Sequence, residues 1–153
     1  MLSSMQGHVE AINVRETSES PAVPVERARL LSGRGLEGDR YYAPGGAGTG
    51  EALTLIASEA LEGLEADTGI RLSAADSRRQ VLTRGIDLNM LVGREFTVGG
   101  ARCLGIELCE PCAHLQAVTQ DGVLSGLVHR GGLRADVLTD GDVAVGDPVA
   151  SAQ

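Results

Sequence analysis

The chain has 153 residues, a net charge of −8 and 42% hydrophobic residues. That length suits one domain burying about 70% of the surface its unfolded chain exposes. The acidic balance, with Tyr41, Tyr42 and Phe96 as the only aromatic residues, excludes the basic face and stacking platform of a nucleic-acid binder. All 13 residues counted as Lys+Arg are arginines. Schiff-base chemistry with pyridoxal phosphate and a P-loop are therefore excluded, since both need a lysine. No apolar run approaches the roughly 20 residues of a membrane helix, and residues 1–7 lack a charged-then-apolar leader pattern. A soluble cytoplasmic protein is expected, with neither nucleic acid nor membrane as partner.

A single domain over residues 1–153 is expected, with its core at about 8–149. Apolar alternation at Val9, Ile12 and Val14 predicts a first strand over 8–14. A second strand is predicted over 25–31. Gly33, Gly35 and Gly38 then mark a tight irregular loop, and the Ala-Pro-Gly-Gly-Ala-Gly-Thr-Gly run at 43–50 reads as a flexible loop. Residues 53–56 predict a short strand feeding a helix over 57–67, with Ser58 as N-cap and Leu61 and Leu64 facing inward. Further strands are predicted at 78–83, 95–98 and 101–108, with a helical turn at 87–91. The last two strands flank Gly99-Gly100, a pair suited to a tight hairpin. Short helices are predicted at 113–118 and 122–128. A closing hairpin is predicted from 133–138 and 143–149. Many short strands, glycine turns and few helices predict a mainly β fold, a β-barrel with a few short helices.

Chemistry concentrates in Leu108-Cys109-Glu110-Pro111-Cys112-Ala113-His114, directly after a predicted strand. Four readings compete. Cys103, Cys109, Cys112 and His114 are four potential zinc ligands, although structural zinc sites usually draw two pairs from separate segments. Cys109 and Cys112 form a Cys-x-x-Cys, which lowers a thiol pKa when it opens a helix in a βαβ unit. Cys112 alone is a thiolate ligand or nucleophile held at a strand end by Pro111. Otherwise all three cysteines are buried small residues. An odd cysteine count argues against a disulfide framework.

Two arginine groups complete the set. Arg78-Arg79-Gln80-Val81-Leu82-Thr83-Arg84-Gly85 places charge and a hydroxyl at both ends of a predicted strand. On a regular strand Arg78 and Arg79 point to opposite faces, so at most one aims at a given ligand. In His129-Arg130-Gly131-Gly132-Leu133-Arg134 the paired glycines let backbone amides approach an anion while the arginines supply charge.

Taken in order, these motifs resemble the MOSC family, named for the C-terminal domain of molybdenum cofactor sulfurases. The resemblance rests on Gly35-Leu36-Glu37-Gly38-Asp39-Arg40, Leu53-Thr54-Leu55-Ile56 with Glu59, and the run from Arg78 through Asn89. It continues in Leu108-Cys109-Glu110-Pro111-Cys112, the 129–134 motif and Val145-Gly146-Asp147-Pro148. It spans about residues 8–149. The resemblance implies a β-barrel, a molybdenum–molybdopterin cofactor, and Cys112 as the characteristic cysteine, a catalytic thiolate ligand of the metal. It implies that Arg78 faces the cofactor, with Thr83 as a lesser candidate; Gln80 stands where the family often has asparagine. Arg84, His129, Arg130 and Arg134 are candidates for holding the cofactor's phosphate. Three functions follow from the resemblance. One is reduction of N-hydroxylated compounds with a separate electron donor, no flavin or iron–sulfur motif being present. A second is sulfur transfer on a Cys112 persulfide supplied by a sulfur donor protein. The third is non-catalytic carriage of the cofactor.

Overall fold

The computed structural model describes residues 5–109, 122 and 126–151. Cys112, His114 and the predicted helix at 113–118 lie outside the described residues, as does part of 122–128. The elements in chain order are β1 (Gln6–Val14), β2 (Val23–Val25), β3 (Arg27–Leu31), β4 (Gly35–Leu36), β5 (Leu53–Ala57) and α1 (Ser58–Thr68). They continue with β6 (Val81–Arg84), a 3₁₀ turn (Leu88–Leu91), β7 (Glu95–Val98), β8 (Ala101–Leu108), β9 (Leu133–Val137), β10 (Gly141–Ala144) and β11 (Pro148–Ser151).

Seven strands close a barrel in the order β1–β11–β7–β8–β9–β5–β6 and back to β1. The β5–β6 pair is parallel and is joined through α1, a βαβ unit not anticipated from the sequence. The other barrel pairings are antiparallel. A smaller sheet, β10–β3–β4, flanks the barrel. Strand alternation puts Val9, Leu53, Leu55, Val81, Phe96, Val98, Leu133 and Ala135 inside, all fully buried. Aliphatic residues and the single phenylalanine thus fill a barrel too narrow for a channel. Among the described residues no helix is long and apolar enough to cross a membrane.

Several local expectations hold. β7 and β8 pair with Val98 opposite Ala101 across Gly99-Gly100, and Gly99 takes φ 57°. Helix α1 buries Leu64, with Leu61 partly buried beside it, and ends at Gly69 in the left-handed region, whose N–H donates to the Glu65 carbonyl.

Four expectations need correction. The predicted strand at 25–31 divides at Glu26: Val23–Val25 pairs with β1, whereas Arg27–Leu31 leaves the barrel to pair with β10. The N-cap of α1 is Ala57, because the Ser58 hydroxyl is drawn away to donate to the Glu10 carboxylate of β1. The predicted strand at 78–83 begins only at Val81, since Arg78 takes φ 62° in a preceding turn. The closing hairpin does not form. β9 pairs with β8 and β5, and β10 pairs with β3. A turn at 145–147 separates β10 from β11, with Gly146 at φ 95° and the Asp147 carboxylate accepting from the Ala144 N–H.

An ion-pair network ties α1 to the barrel wall. Arg84 donates to Glu10 at 2.6 Å through Nε and to Glu62 at 2.7 Å through Nη2. Burial raises the Glu10 pKa, but hydrogen bonds from Ser58 and Arg84 outweigh it and hold the carboxyl below its ordinary value. A carboxylate depressed in the folded state stabilises the fold above its unfolded pKa, and that stability is lost as the pH falls through the folded value. Urea midpoints should therefore fall in acid, starting near the ordinary Glu value of 4.5. Arg84→Met should make this fall shallower. An acid dependence unchanged in Arg84→Met would show that the network contributes nothing.

Candidate functional site

The strand ends on one side of the barrel enclose a cavity of about 330 Å³. Its walls come from the 43–48 loop, Thr54 of β5, the turn carrying Arg78 and Arg79, Cys109 just past β8, and Arg134 of β9. Among the described residues that line it, Glu51 is the only carboxylate, against three guanidinium groups. The wall is therefore cationic, suited to phosphate or another anionic oxygen group.

Arg79 is held by two backbone carbonyls. Its Nε donates to the Gly131 carbonyl at 2.8 Å and its Nη2 to the Cys109 carbonyl at 3.2 Å. Cys109 is nearly buried, and its own N–H donates to the Gly132 carbonyl at 2.7 Å. Arg78 donates to the Ser18 carbonyl at 2.9 Å. The Nε of Arg134 lies 4.0 Å from Glu107, a loose ion pair.

A buried polar network supports the cavity from beneath. Gln80 accepts from the Thr54 N–H at 2.8 Å and donates to the Asp39 carboxylate at 2.7 Å. Asp39 also accepts the N–H groups of Arg15 at 2.9 Å and Tyr41 at 3.1 Å. The 33–42 loop is thereby fastened to β5 and β1. Tyr41 reaches the cavity with the Arg40 guanidinium 4.1 Å from its ring centroid.

The structure sorts the predicted site residues into groups. Arg78 and Arg134 meet at this cavity. Arg84 does not line it and is engaged with Glu10 and Glu62. Arg130 donates to the Gly126 carbonyl and to Asp67, both at 2.7 Å, and borders a second cavity of about 480 Å³ together with Glu59, Asp87 and Asn89. His129 takes φ 61°, and its carbonyl accepts from Asn89 at 2.8 Å. Thr83 is fully buried in the barrel interior, where its hydroxyl has no hydrogen-bond partner among the described residues. It is not among the residues lining the arginine-walled cavity.

Sequence reasoning weighed Cys109 for zinc or thiol chemistry and Arg79 as an alternative to Arg78, but did not select Thr54 or Tyr41. Alternation had placed Arg78 and Arg79 on opposite faces; the left-handed conformation of Arg78 cancels it, and both line the cavity. The four-ligand zinc reading loses Cys103. That thiol is fully buried in the barrel core, and burial, with the Asp136 carboxylate adding, pushes its pKa up to about 12. It also lies six residue steps along β8 from Cys109, about 20 Å for extended strand. The Cys-x-x-Cys follows β8 and does not open the helix of the βαβ unit.

Comparison with known proteins agrees with this architecture. The fold is similar to the YuaD protein from Bacillus subtilis, with a TM-score of 0.83, 20% identity and 100% coverage of both chains. It is also similar to YiiM from Geobacillus stearothermophilus, with a TM-score of 0.74, 17% identity, and coverage of 96% of this chain and 75% of that one. YiiM from Escherichia coli gives a TM-score of 0.68, 17% identity, and coverage of 95% and 70%. At these identities the likeness is one of fold. No curated protein matches significantly. The family model for the MOSC domain matches residues 44–150, from the cavity-lining loop through β11. With most of its length so matched, the chain belongs to the MOSC domain family.

Proposed function

We propose that the arginine-walled cavity holds a molybdenum–pterin cofactor, with Cys112 as the thiolate ligand of the metal. The observation that supports this reading is the meeting of Arg78, Arg79 and Arg134 with Cys109 around one cavity. Cys112 follows Cys109 by three residues, a chain reach of at most about 11 Å. MOSC domains are associated with the molybdenum cofactor, and the residues present fit such a group. A cavity of about 330 Å³ lies in the range of small-molecule sites, roughly 300–1,000 Å³. Three guanidinium groups suit a phosphate tail, and a thiolate is a soft ligand suited to a sulfur-rich metal site.

The chemistry such a group supplies when bound is oxygen-atom transfer at the metal, here the reduction of N-hydroxylated compounds. This chain's own residues bind and orient. Arg79 and Arg134 offer N–H donors to the anion, and Arg78 adds charge at the rim. Thr54 and Tyr41 bound the remaining wall, kept in place by Gln80 and Asp39. Electrons come from a separate donor protein in the cytoplasm.

The test is molybdenum content and pterin fluorescence of protein purified from a molybdenum-supplied host, beside Cys112→Ser. The expected result is about one metal per chain, lost in the variant by at least tenfold, as typically follows when a metal site is weakened. Equal metal in both proteins would remove Cys112 as ligand. No metal in either would overturn the reductase reading in favour of sulfur transfer, examined next as a persulfide on Cys112.

A further inference from the structure

The second cavity, of about 480 Å³, shares no described lining residue with the arginine-walled one. It lies where β5 ends and α1 begins, against the turn that follows β6. Ala57, Ala60, Ile86 and Leu88 form its apolar wall, the last two buried. Two exposed carboxylates stand beside that wall: Glu59, in the first turn of α1, and Asp87, the cap of the 3₁₀ turn. A backbone N–H orients each of them, from Gly85 to Glu59 at 2.8 Å and from Asn89 to Asp87 at 3.1 Å. Among the described residues neither carboxylate has a cationic partner. Arg130, the one base among the described lining residues, is committed to Asp67 and to the Gly126 carbonyl. Gly132 also lines this cavity, while the carbonyl of Gly131 accepts from Arg79 of the other. One stretch of backbone thus touches two cavities of opposite charge.

We propose that the second cavity binds a small organic cation, a primary ammonium group carried on an apolar body the size of a single ring. Its volume lies within the roughly 300–1,000 Å³ of small-molecule sites, and an apolar wall with a few polar groups is their usual lining. An ammonium group has three N–H donors. Glu59 and Asp87 supply charged acceptors, and the Asn89 side chain, whose Nδ2 donates to the His129 carbonyl at 2.8 Å, supplies its Oδ1 as a third. An anion would face both carboxylates and would have to displace Asp67 from Arg130. A bare metal ion is a poorer fit, because the apolar wall offers no oxygen ligand. No group of three His, Cys, Asp or Glu side chains that could hold one occurs among the described residues. The net charge of −8 further favours the approach of cations. This site is additional to the proposed cofactor site and requires neither metal nor phosphate.

The experiment is titration of the full chain with benzylamine at neutral pH, where it is protonated, followed by amide NMR shifts. Benzyl alcohol, methylamine and benzoate are titrated beside it. Benzylamine should give saturable shifts at Gly85, Asn89 and Gly132. Benzyl alcohol, which lacks the charge, should bind about tenfold more weakly. Methylamine, which lacks the ring, should lose about as much, and benzoate should not bind. Glu59→Gln and Asp87→Asn should each weaken benzylamine by about threefold, in the range of exposed ion pairs, and together by about tenfold. Asparagine also serves as a cap, so the second substitution keeps the turn that Asp87 holds. Glu26→Gln removes an equal charge at an exposed position outside both cavities, and should leave the affinity unchanged. The proposal is overturned if benzylamine gives no saturable shift, if benzoate or methylamine binds as tightly, or if the double variant keeps the parent affinity. Shifts centred on Tyr41 and Ala47 of the arginine-walled cavity would overturn it too. With no molybdenum or phosphate in the titration, its failure leaves the cofactor reading standing, and a negative metal assay leaves this site standing.

Discussion

Gly132→Ala is expected to lower the thermal midpoint by about 10 °C, corresponding to about 3–5 kcal/mol in a domain of this size. Gly132 takes φ 114°, a conformation open essentially to glycine alone. A Cβ there would stand 2.1 Å from the Leu55 carbonyl oxygen, which is backbone in the middle of β5 and cannot swing aside. The Gly132 carbonyl also accepts from the Cys109 N–H, so any relief of the clash displaces the start of the cysteine segment. Gly93→Ala supplies the control. Gly93 is also left-handed, at φ 77°, but a Cβ on it would meet nothing within 4 Å. Its cost should be the conformational penalty alone, about 1–2 kcal/mol. Thermal melts of the two variants that superimpose would show that the Leu55 contact is without consequence.

Asp39→Asn should destabilise by about 2–4 kcal/mol and weaken anion binding in the cavity, a large effect for a change of one atom type. The two carboxylate oxygens accept three donors: the N–H groups of Arg15 and Tyr41 and the Gln80 amide. An asparagine amide brings one oxygen and one donor, so an NH₂ group must confront another donor in a buried setting. Gln80 cannot resolve the conflict by flipping, because its oxygen already accepts from the Thr54 N–H. The strain passes to Tyr41 and Thr54, both of which line the cavity. Urea unfolding and phosphate titration by calorimetry measure the two effects. Parent-like values in both would mean that the carboxylate is dispensable.

The difference between what was legible and what was not follows the range of the interactions. Apolar alternation is local, and it located β1, β5, β7 and β8. Helix α1 was readable from its buried leucines, although its cap was not: the competing partner of Ser58 is Glu10, 48 residues away. Glycine pairs encode turns locally, which is why the β7–β8 connection appeared in the sequence. The partner of β10 could not. Strand pairing after a turn depends on which sheet edge is free, and β3 supplies it from over a hundred residues upstream.

The candidate site shows the same division. The sequence determined the chemistry available: permanently charged arginines with no lysine, a cysteine cluster after a strand, and the motif order that marks a MOSC domain. It also set the β-rich architecture, because short alternating segments broken by glycine bury enough apolar surface only by closing on one another. The tertiary structure decided which arginines act together. Arg78, Arg79 and Arg134 are gathered at one cavity, while Arg84 and Arg130 are committed to carboxylates of the barrel wall and helix. The physical reason is that a side chain's reach depends on its backbone conformation and on partners distant in sequence. Arg78 at φ 62° undoes the strand alternation, and the hydrogen bonds of Arg79 span 30 and 52 residues.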